Sequence, residues 1–333
     1  MPESRVLRIG ILGAARIASS AICVPAMVLS HKLIAIGASK LTKAQDFATR
    51  WSIESAVEGY ETLINHPDVD VVYNALPNSM HANFNILAMK AGKHVISEKP
   101  FASNYEEALK VAAVANETGA KIIEAFHYRY HPAIQRALDV AASGEIGEIT
   151  KVTSALSIPA PVDSDLRWQL ELAGGAMMDL GCYALHVQRH LSLSLFKSEP
   201  ELISASATER KPGVDKSMFA VVQFPNSARG EIFCNMDFTH FESPLRIIGT
   251  KGEIFLPSFV LPGADDRVII TSSNSTRKEH AGRISSYTRQ LDSFAQYLDG
   301  SRVLTGIDDA LANAQAIDGI YRKAGLTPRN SIL

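Results

Sequence analysis

Cysteine is scarce in this chain, which contains only Cys23, Cys182 and Cys234 among 333 residues. An odd, sparse set without framework spacing argues against structural disulfides and predicts a reducing, cytoplasmic location. Residues 1–5 lack the apolar core of a signal peptide, and no apolar run is long enough to span a bilayer. The formal net charge of −2 argues against a nucleic-acid or other polyanion binder and leaves small-molecule chemistry open.

Several catalytic signatures are missing as well. The sequence has no G-x-S-x-G elbow, no C-x-x-C pair and no Walker loop, so hydrolase, thiol-redox and NTPase functions have no support. His127/His131 and His186/His190 have i, i+4 spacing, but neither pair fits H-E-x-x-H and no third ligand is evident. We therefore expect no metal, and we expect His186 and His190 to be helix-face or core residues.

A run of β-branched and apolar residues from Val6 to Leu12 ends at a glycine and leads into a helix-like stretch. Strand, tight glycine turn and helix form the context of a dinucleotide-binding fingerprint, and the helix N-terminus would favour phosphate. Ala15 and Ala18 stand where the second and third glycines would be, and an ordinary strand–turn–helix remains the alternative. The cofactor-binding candidates in this stretch are Gly13, Ala14, Ala15, Arg16 and Ile17.

The second predicted strand, residues 33–38, ends at Ser39-Lys40. An NAD site usually places Asp or Glu here, about 20 residues past the glycines, to bind the ribose 2′-hydroxyl. The next acid is Asp46, whereas a hydroxyl and a cation are present at the strand end. Ser39 and Lys40 therefore favour a 2′-phosphate, and so NADP over NAD. The alternative is that Lys40 and Lys43 merely face solvent on the next helix.

A short apolar strand, residues 94–97, runs directly into Glu98-Lys99-Pro100. The carboxyl ends of strands in an open α/β sheet form the edge where ligands bind. Proline fixes its own backbone and can hold a cis peptide bond, which would set the direction of Lys99. We take Lys99 as the candidate functional cation; a solvated lysine followed by a loop is the alternative.

Strands and helices alternate throughout the first half of the chain. The predicted strand of residues 69–75 is a mostly apolar run. Gly92 is expected to close the helix that follows, and Ser103 is expected to cap the next one, with Glu106 at capping-box spacing. This alternation predicts a doubly wound parallel sheet. After Pro132, closely spaced strands separated by turn residues predict an antiparallel sheet, and two helices close the chain. The predicted fold class is α/β.

The second half also contains a candidate polar site. Gly174-Gly175 leads into a predicted helix on which Asp179 and Tyr183 are four residues apart and share a face. A carboxylate and a phenol together suit a polar pocket. The alternative is a structural Tyr183 in the core, with its hydroxyl bonded to Asp179 or to the backbone.

Six motifs occur in order along the chain: Gly13-Ala-Ala-Arg-Ile-Ala18, Ala38-Ser-Lys40, Leu76-Pro-Asn-Ser-Met-His81, Ala91-Gly-Lys-His-Val95, Glu98-Lys-Pro100 and Glu124-Ala-Phe-His-Tyr-Arg-Tyr-His-Pro132. Together they resemble the glucose-fructose oxidoreductase / inositol dehydrogenase / MocA (Gfo/Idh/MocA) family over nearly the whole chain. The resemblance implies an N-terminal Rossmann domain at residues 1–126. It implies a substrate-binding α+β domain at residues 127–333 with a large open, mostly antiparallel sheet; packing of the last helix against the first domain is left open.

The resemblance also implies residue roles. Tyr183 fills the acid/base position that is His in the D-x-x-x-H pattern, as in the branch with glucose-fructose oxidoreductase, dimeric dihydrodiol dehydrogenase and D-xylose dehydrogenases. Lys99 would lower the pKa of Tyr183 and hold the substrate oxygen, and Asp179 would bind a second hydroxyl or orient Tyr183. Further cofactor-side candidates are Leu76, Pro77, Asn78, His81 and Glu98, and substrate-pocket candidates are His127, Arg129, Arg167 and Trp168.

The implied activity is NADP-dependent hydride transfer to or from a secondary alcohol, hemiacetal or keto group of a sugar, polyol or trans-dihydrodiol. The implied partner is a small carbohydrate-like molecule, with no nucleic acid and no membrane. A homodimer or homotetramer is expected through the C-terminal sheet. The alternative is a non-catalytic NADP-binding regulator of the same fold, which would generally lack the Lys or the acid/base residue.

Overall fold

A computed structural model describes residues 5–273, 275–331 and 333 of the chain. Residues 1–4, on which most of the signal-peptide argument depends, lie outside the described residues, as do Asn274 and Ile332. The chain forms two compact units. The first contains the described residues up to Tyr130 together with Tyr287–Ala314, and the second contains His131–Ser286 and Gln315–Asn330.

The first unit is built on a parallel sheet with the strand order β3-β2-β1-β4-β5-β6. The predicted doubly wound parallel sheet is therefore confirmed. The order reverses between β1 and β4, which is the switch point where ligands bind in such sheets. The strands are β1 (Arg8–Leu12), β2 (Lys32–Ala38), β3 (Ser55–Glu58), β4 (Val71–Asn74), β5 (His94–Ser97) and β6 (Ile122–Glu124).

The α-helices of the described residues alternate with these strands and then continue through the second unit. Short π or 3₁₀ turns interrupt or join several of them. The α-helices are α1 (Arg16–Ala18), α2 (Val24–Val28), α3 (Leu41–Trp51), α4 (Tyr60–Ile64), α5 (His81–Lys90), α6 (Tyr105–Thr118), α7 (Pro132–Ala142), α8 (Cys182–Phe196), α9 (Ser286–Leu298) and α10 (Ile307–Lys323).

Two local predictions for the first unit were tested by these helices. Pro25 lies within the helical stretch that follows Gly13 and therefore predicts a kink or a restart there. This is confirmed, because a π turn at Ser19–Cys23 separates α1 from α2. The predicted cap of α6 was wrong by one residue. Asn104, not Ser103, is the N-cap, and its Oδ1 accepts a hydrogen bond from the Glu107 N–H at 2.9 Å.

Both faces of the parallel sheet are covered, which explains why its central strands consist mostly of apolar residues. Val71, Val72 and Tyr73 of β4 are completely buried. One face packs with Leu291 and Phe294 of α9, and the other face packs with Ala310 and Ala314 of α10. The segment 287–314 thus contributes to the core of the first unit, although it follows the second unit in sequence.

The second unit contains a sheet with the order β14-β13-β12-β11-β7-β10-β9-β8. Its neighbouring strands are antiparallel except for β7 and β10, so the predicted mostly antiparallel sheet is confirmed. The strands are β7 (Ile149–Pro159), β8 (Glu201–Lys211), β9 (Val214–Gln223), β10 (Arg229–Phe238), β11 (Leu245–Gly249), β12 (Gly252–Leu256), β13 (Arg267–Ser272) and β14 (Ser275–His280).

Helix α8 covers one face of this sheet. The Ser154 hydroxyl on β7 donates to the Ala184 carbonyl at 2.7 Å, and Gln188 Nε2 donates to the Glu231 carbonyl on β10 at 2.7 Å. A π turn, Met177–Gly181, leads directly into α8, so Asp179 and Tyr183 lie on one continuous helical segment. Among the described residues, no helix is long and apolar enough to cross a membrane.

Candidate active site

The turn after β1 has the backbone geometry of a dinucleotide-binding loop. Gly13 has φ +91°, and a Cβ there would lie 3.2 Å from Leu76 Cδ2 and 3.3 Å from the Ala75 carbonyl oxygen. Ala15 is the N-cap of the helical stretch and provides no side-chain hydrogen bond to it. The first N–H groups of that stretch therefore receive no side-chain cap at Ala15, which fits the binding of a pyrophosphate. Ala14 is half-buried, and Arg16 and Ile17 are exposed.

Strand β2 ends next to this turn, since the Gly13 N–H donates to the Gly37 carbonyl at 2.8 Å. Ser39 and Lys40 follow the strand, and both side chains are exposed. Lys40 is extended, with φ −140°, and is the N-cap of α3. A hydroxyl, a cation and a helix N-terminus thus occur together at the carboxyl end of β2, an arrangement that suits a phosphate.

A buried hydrogen-bond network joins the ends of β4 and β5. The Asn74 side chain donates to Asn85 Oδ1 at 2.8 Å and accepts from the Leu76 N–H at 3.3 Å. Asn85 Nδ2 in turn donates to the Ser97 hydroxyl at 2.9 Å. These contacts fix the start of the loop that carries Pro77 and Asn78, both half-buried.

His81 connects the same two strand ends through its ring. Its Nδ1 lies 2.7 Å from the Pro100 carbonyl oxygen, and its Nε2 lies 2.8 Å from the Leu76 carbonyl oxygen. Burial lowers the pKa of His81, and hydrogen bonding to the two carbonyls opposes that shift. His81, predicted to border the cofactor, is buried behind the two loops and ties them together.

Lys99 follows β5 directly and is half-buried, and its peptide bond to Pro100 is cis. The neighbouring Glu98 is buried and accepts a hydrogen bond from the Tyr73 hydroxyl at 2.6 Å. Tyr73 was missed by the sequence analysis. The only available signal was a tyrosine one residue before the end of an otherwise aliphatic strand.

His127 is buried and stacks on Tyr287 of α9, with 3.7 Å between ring centroids. Burial raises the pKa of Tyr287, and the Glu98 carboxylate adds to the effect. The structure therefore groups Glu98, His127 and Tyr287 in the first unit. Arg129 lies half-buried on the 3₁₀ turn that follows His127. Tyr287 could not be predicted, because it lies 160 residues beyond His127 in the sequence.

In the second unit, Asp179 forms an ion pair with Arg167. Arg167 Nε donates to Asp179 Oδ2 at 2.7 Å, and Arg167 Nη1 lies 3.1 Å from Asp165 Oδ2. The Asp179 carboxylate raises the pKa of Arg167. Asp165 also accepts a hydrogen bond from the Arg167 backbone N–H at 2.9 Å. Asp165, which was not predicted from the sequence, therefore binds both the backbone and the guanidinium of Arg167.

Tyr183 is 5% exposed, at the start of α8. Trp168 is buried; its Nε1 donates to the Pro161 carbonyl at 3.1 Å, and the Arg210 guanidinium lies 4.4 Å from its ring centroid. Trp168 therefore supports the backbone next to Arg167, and its place in a substrate pocket stays a prediction. His186 and His190 are buried on α8, as expected of core residues.

His131 differs from its predicted partner His127. Its Nδ1 accepts the Ala133 N–H at 3.2 Å and caps α7, while its Nε2 lies 2.9 Å from the Gly282 carbonyl oxygen. Both nitrogens of the ring are thus used within the second unit. No group of three or more metal-ligating side chains occurs in the part of the chain that the structure describes.

Both halves of the chain match one protein family. Residues 7–126 match the oxidoreductase family with an NAD-binding Rossmann fold, and residues 134–255 match the Gfo/Idh/MocA C-terminal domain. The chain is 31% identical over 320 residues to a D-xylose 1-dehydrogenase (NADP(+)) of Haloferax volcanii, covering 95% of this chain and 96% of the relative.

Two other relatives agree. A trans-1,2-dihydrobenzene-1,2-diol dehydrogenase of Mus musculus is 31% identical over 253 residues, covering 74% of this chain and 73% of that protein. The crystal structure of a 3-ketoreductase from Actinomadura kijaniata, in complex with NADP and TDP-benzene, aligns with a TM-score of 0.87. It has 26% sequence identity and covers 96% of this chain and 98% of that one. The chain belongs to the Gfo/Idh/MocA oxidoreductase family.

Proposed function

We propose that this enzyme transfers a hydride between NADP and a secondary alcohol, hemiacetal or keto group of a sugar, polyol or trans-dihydrodiol. The observation that supports this most is that this chain, as a member of the family, contains both Lys99 and Tyr183. The relatives agree with the proposal, since they are named as a D-xylose dehydrogenase, a dihydrodiol dehydrogenase and a sugar 3-reductase. The substrate is therefore a small, carbohydrate-like molecule with several hydroxyls.

The turn at Gly13 and the strand end at Ser39-Lys40 would hold the two phosphate-bearing ends of NADP. Gly13 allows close backbone approach at the switch point, and Lys40 offers an exposed cation beside a hydroxyl. When bound, the nicotinamide supplies the hydride acceptor or donor. Lys40 provides the discrimination against NAD, because NAD carries no charge at the 2′ position.

Oxidation of a carbinol requires that the hydroxyl proton leaves with the hydride. Tyr183 is the proposed group that accepts this proton on its phenolic oxygen, and it returns a proton when the keto group is reduced. A phenol has a pKa near 10 in water, so it needs a cation to act near neutral pH. Lys99 is the proposed cation, and its ammonium also binds the reacting oxygen of the substrate.

Asp179 is the proposed orienting group for Tyr183 or for a second substrate hydroxyl. Its Oδ2 accepts a hydrogen bond from Arg167 Nε at 2.7 Å, which fixes the position of the carboxylate. Glu98 is the proposed orienting group for Lys99, and the Tyr73 hydroxyl holds its carboxylate in place.

We further propose that the enzyme is a cytoplasmic homodimer or homotetramer that associates through the outer face of the large sheet. Phe219, Phe233, Ile248 and Phe255 place apolar side chains on this half-exposed face. Residues that pair directly across strands point to the same side, and Phe219 lies opposite Phe233. Sedimentation velocity of the wild type and of Phe219→Glu tests the proposal: a monomeric variant supports it, and a wild type that is already monomeric contradicts it.

The activity itself is tested by following the absorbance of NADPH with a panel of aldoses, polyols and trans-dihydrodiols. Lys99→Met and Tyr183→Phe are expected to lower kcat by about 10²–10⁴-fold, because each removes a part of the proton transfer. NADPH binding, measured by fluorescence titration, should be nearly unchanged in both variants. If either variant kept near-normal turnover, that residue would lose its role. A wild type that binds NADPH but turns over no substrate would favour the regulatory alternative.

A further inference from the structure

The second unit contains a buried ion pair that the proposed chemistry does not use. Asp215 lies on β9 and is 0% exposed, and Arg329 follows α10 and is 2% exposed. Arg329 Nη2 donates to Asp215 Oδ1 at 2.6 Å. Burial of two charges costs several kcal/mol per ion unless further hydrogen bonds satisfy them. The groups that complete this pair therefore indicate its purpose.

Those groups are the two ends of one short backbone segment, residues 174–177, which we call the 174–177 turn. Arg329 Nε donates to the Gly174 carbonyl at 2.7 Å. Asp215 Oδ2 accepts the Met177 N–H at 2.7 Å. The cation thus holds a carbonyl and the anion holds an N–H of the same turn, which gives the turn a single orientation on the ion pair.

Tyr321 of α10 completes the cluster. Its hydroxyl donates to Asp215 Oδ1 at 2.9 Å and accepts from Arg329 Nη2 at 2.8 Å, and its ring centroid lies 4.2 Å from the guanidinium carbon. Arg329 Nη1 donates to the Gly213 carbonyl at 2.8 Å. All three guanidinium nitrogens are engaged in different directions, a geometry that a lysine ammonium cannot reproduce.

The 174–177 turn is shaped to accept this pair. Gly175 has φ +127°, and a Cβ there would lie closer than 3.0 Å to both Asp215 Oδ1 and Arg329 Nη2. Glycine is therefore required at this position on two counts, conformation and space. The backbone approaches the charges as closely as a residue without a side chain allows.

The turn is also connected directly to Arg167 and Asp179. The Gly175 N–H donates to the Arg167 carbonyl at 2.9 Å, and the Asp179 N–H donates to the Gly175 carbonyl at 3.0 Å. The Arg167 side chain also binds the same segment, since its Nε donates to Asp179 Oδ2 at 2.7 Å. Tyr183 lies one helical turn further along the same segment. Any tilt of the 174–177 turn would move both Asp179 and Tyr183.

We propose that Asp215, Arg329 and Tyr321 are positioning residues that fix the 174–177 turn and, through it, the placement of Asp179 and Tyr183. This inference rests on the proposed roles of those two side chains. A displacement of about 1 Å in a catalytic group can reduce turnover about 100-fold, so loss of the cluster should affect the chemical step more than nucleotide binding.

The variant Arg329→Lys tests this, with Arg189→Lys as its matched control. Arg189 is also 2% exposed and pairs with Glu199 at 2.6 Å in the same unit, so the same substitution removes an equally buried guanidinium, here with a carboxylate partner that is 43% exposed. Tyr321→Phe is a milder variant that keeps both charges and removes the two hydrogen bonds of the hydroxyl, one to Asp215 and one from Arg329. Hydrogen–deuterium exchange of peptides covering 174–183 is measured for each variant, together with kcat and the KM for NADP on the best substrate of the panel.

We expect faster exchange at 174–183 and a kcat lower by about 10–100-fold in Arg329→Lys, with the KM for NADP unchanged. Arg189→Lys should leave both the exchange at 174–183 and kcat close to wild type. Exchange that rises throughout the second unit, or a kcat per folded molecule equal to wild type, would overturn the inference. A wild type without turnover would instead refute the proposed function, and the exchange pattern alone would then decide whether the cluster fixes the turn.

Discussion

Lys40 is the side chain on which the cofactor preference is proposed to depend. Lys40→Asp should weaken NADPH binding about 10–100-fold, because a charge-assisted hydrogen bond is worth about 1.5–3 kcal/mol and the new carboxylate repels phosphate. NADH binding should stay the same or improve. Fluorescence titration of both nucleotides measures this.

The control for this charge reversal is Lys43→Asp. Lys43 is also exposed and lies three residues further along, on α3. A change confined to Lys40 supports the phosphate site. Equal losses for NADPH and NADH in Lys40→Asp, or equal effects at both lysines, would favour the view that these lysines merely face solvent.

Tyr130 should make the first unit sensitive to alkali. Its hydroxyl lies 2.9 Å from Thr305 Oγ1, and burial raises its pKa from 10.0 to about 12. Because the folded pKa is the higher one, its contribution to stability is complete below pH 10 and is lost as the pH rises through 12. Urea unfolding at several pH values should show this decline, and Tyr130→Phe should show less of it.

Thr305→Val separates the hydrogen bond from the ionisation. Both variants should lose about 1 kcal/mol at pH 8, where only the hydrogen bond matters. Thr305→Val keeps the phenol and should therefore keep the alkaline decline. Identical pH profiles for Tyr130→Phe and the wild type would show that Tyr130 does not titrate in this range.

Candidate site residues could be proposed from the sequence where the local chemistry is unusual for its position. Gly13 and Lys99 stand at strand ends, where a turn or a charge is visible in the sequence. Asp215 and Arg329 gave no such signal, since each looks like an ordinary surface charge until the fold brings them together over 114 residues. Side chains that act only through tertiary contacts are beyond what local spacing reveals.

The π turn at Met177–Gly181 packs against β10 through a glycine. A Cβ on Gly181 would lie 2.5 Å from Met177 Sδ and 2.9 Å from Cys234 Sγ. Gly181→Ala should therefore destabilise the protein by about 1–3 kcal/mol, since overpacked cores shift side chains and backbone. Chemical denaturation followed by circular dichroism measures the change.

Gly319→Ala on α10 is the same substitution in an open place. A Cβ there would make only an ordinary contact, 3.6 Å from Leu202 Cδ2. It should stabilise the protein by up to about 1 kcal/mol through helix propensity. If both substitutions changed the stability in the same direction, the effect of Gly181→Ala could not be attributed to overpacking at Gly181.

Elements were predictable where burial gives a clear pattern. The β4 strand follows from a mostly apolar run, and the prediction of residues 69–75 located it to within two residues at each end. Strands β3, β13 and β14 were missed; Ser55–Glu58 is a half-exposed edge and Ser275–His280 is polar throughout. Pairing with a neighbouring strand, not composition, makes these segments extended.

The chain returns to its first unit after completing most of the second, and periodicity could not predict this. Helix α9 has an amphipathic pattern that would fit either unit. Its assignment depends on Leu291 and Phe294 fitting the core beside β1 and β2. Residues 287–314 and 5–130 therefore belong to one compact unit even though they are distant in sequence.

Three buried or half-buried histidines, all in the first unit, should make the protein lose stability in mild acid. Burial lowers the pKa of His31, His81 and His94 below 6.5. His31 Nδ1 accepts the Leu7 N–H at 3.3 Å, and His94 Nδ1 accepts the Lys121 N–H at 3.1 Å. Protonation of either nitrogen removes an acceptor, so the fold favours the neutral rings.

The sign of the effect follows from linkage. The folded pKa values lie below the unfolded value, so the contribution is complete above pH 6.5 and is lost as the pH falls through the folded values. The urea midpoint should therefore be lower at pH 5.5 than at pH 7.5. The double variant His31→Asn/His94→Asn keeps an acceptor oxygen near each N–H but cannot be protonated, so its midpoint should depend less on pH. An unchanged slope in that variant would place the acid sensitivity elsewhere, with His81 as the next candidate.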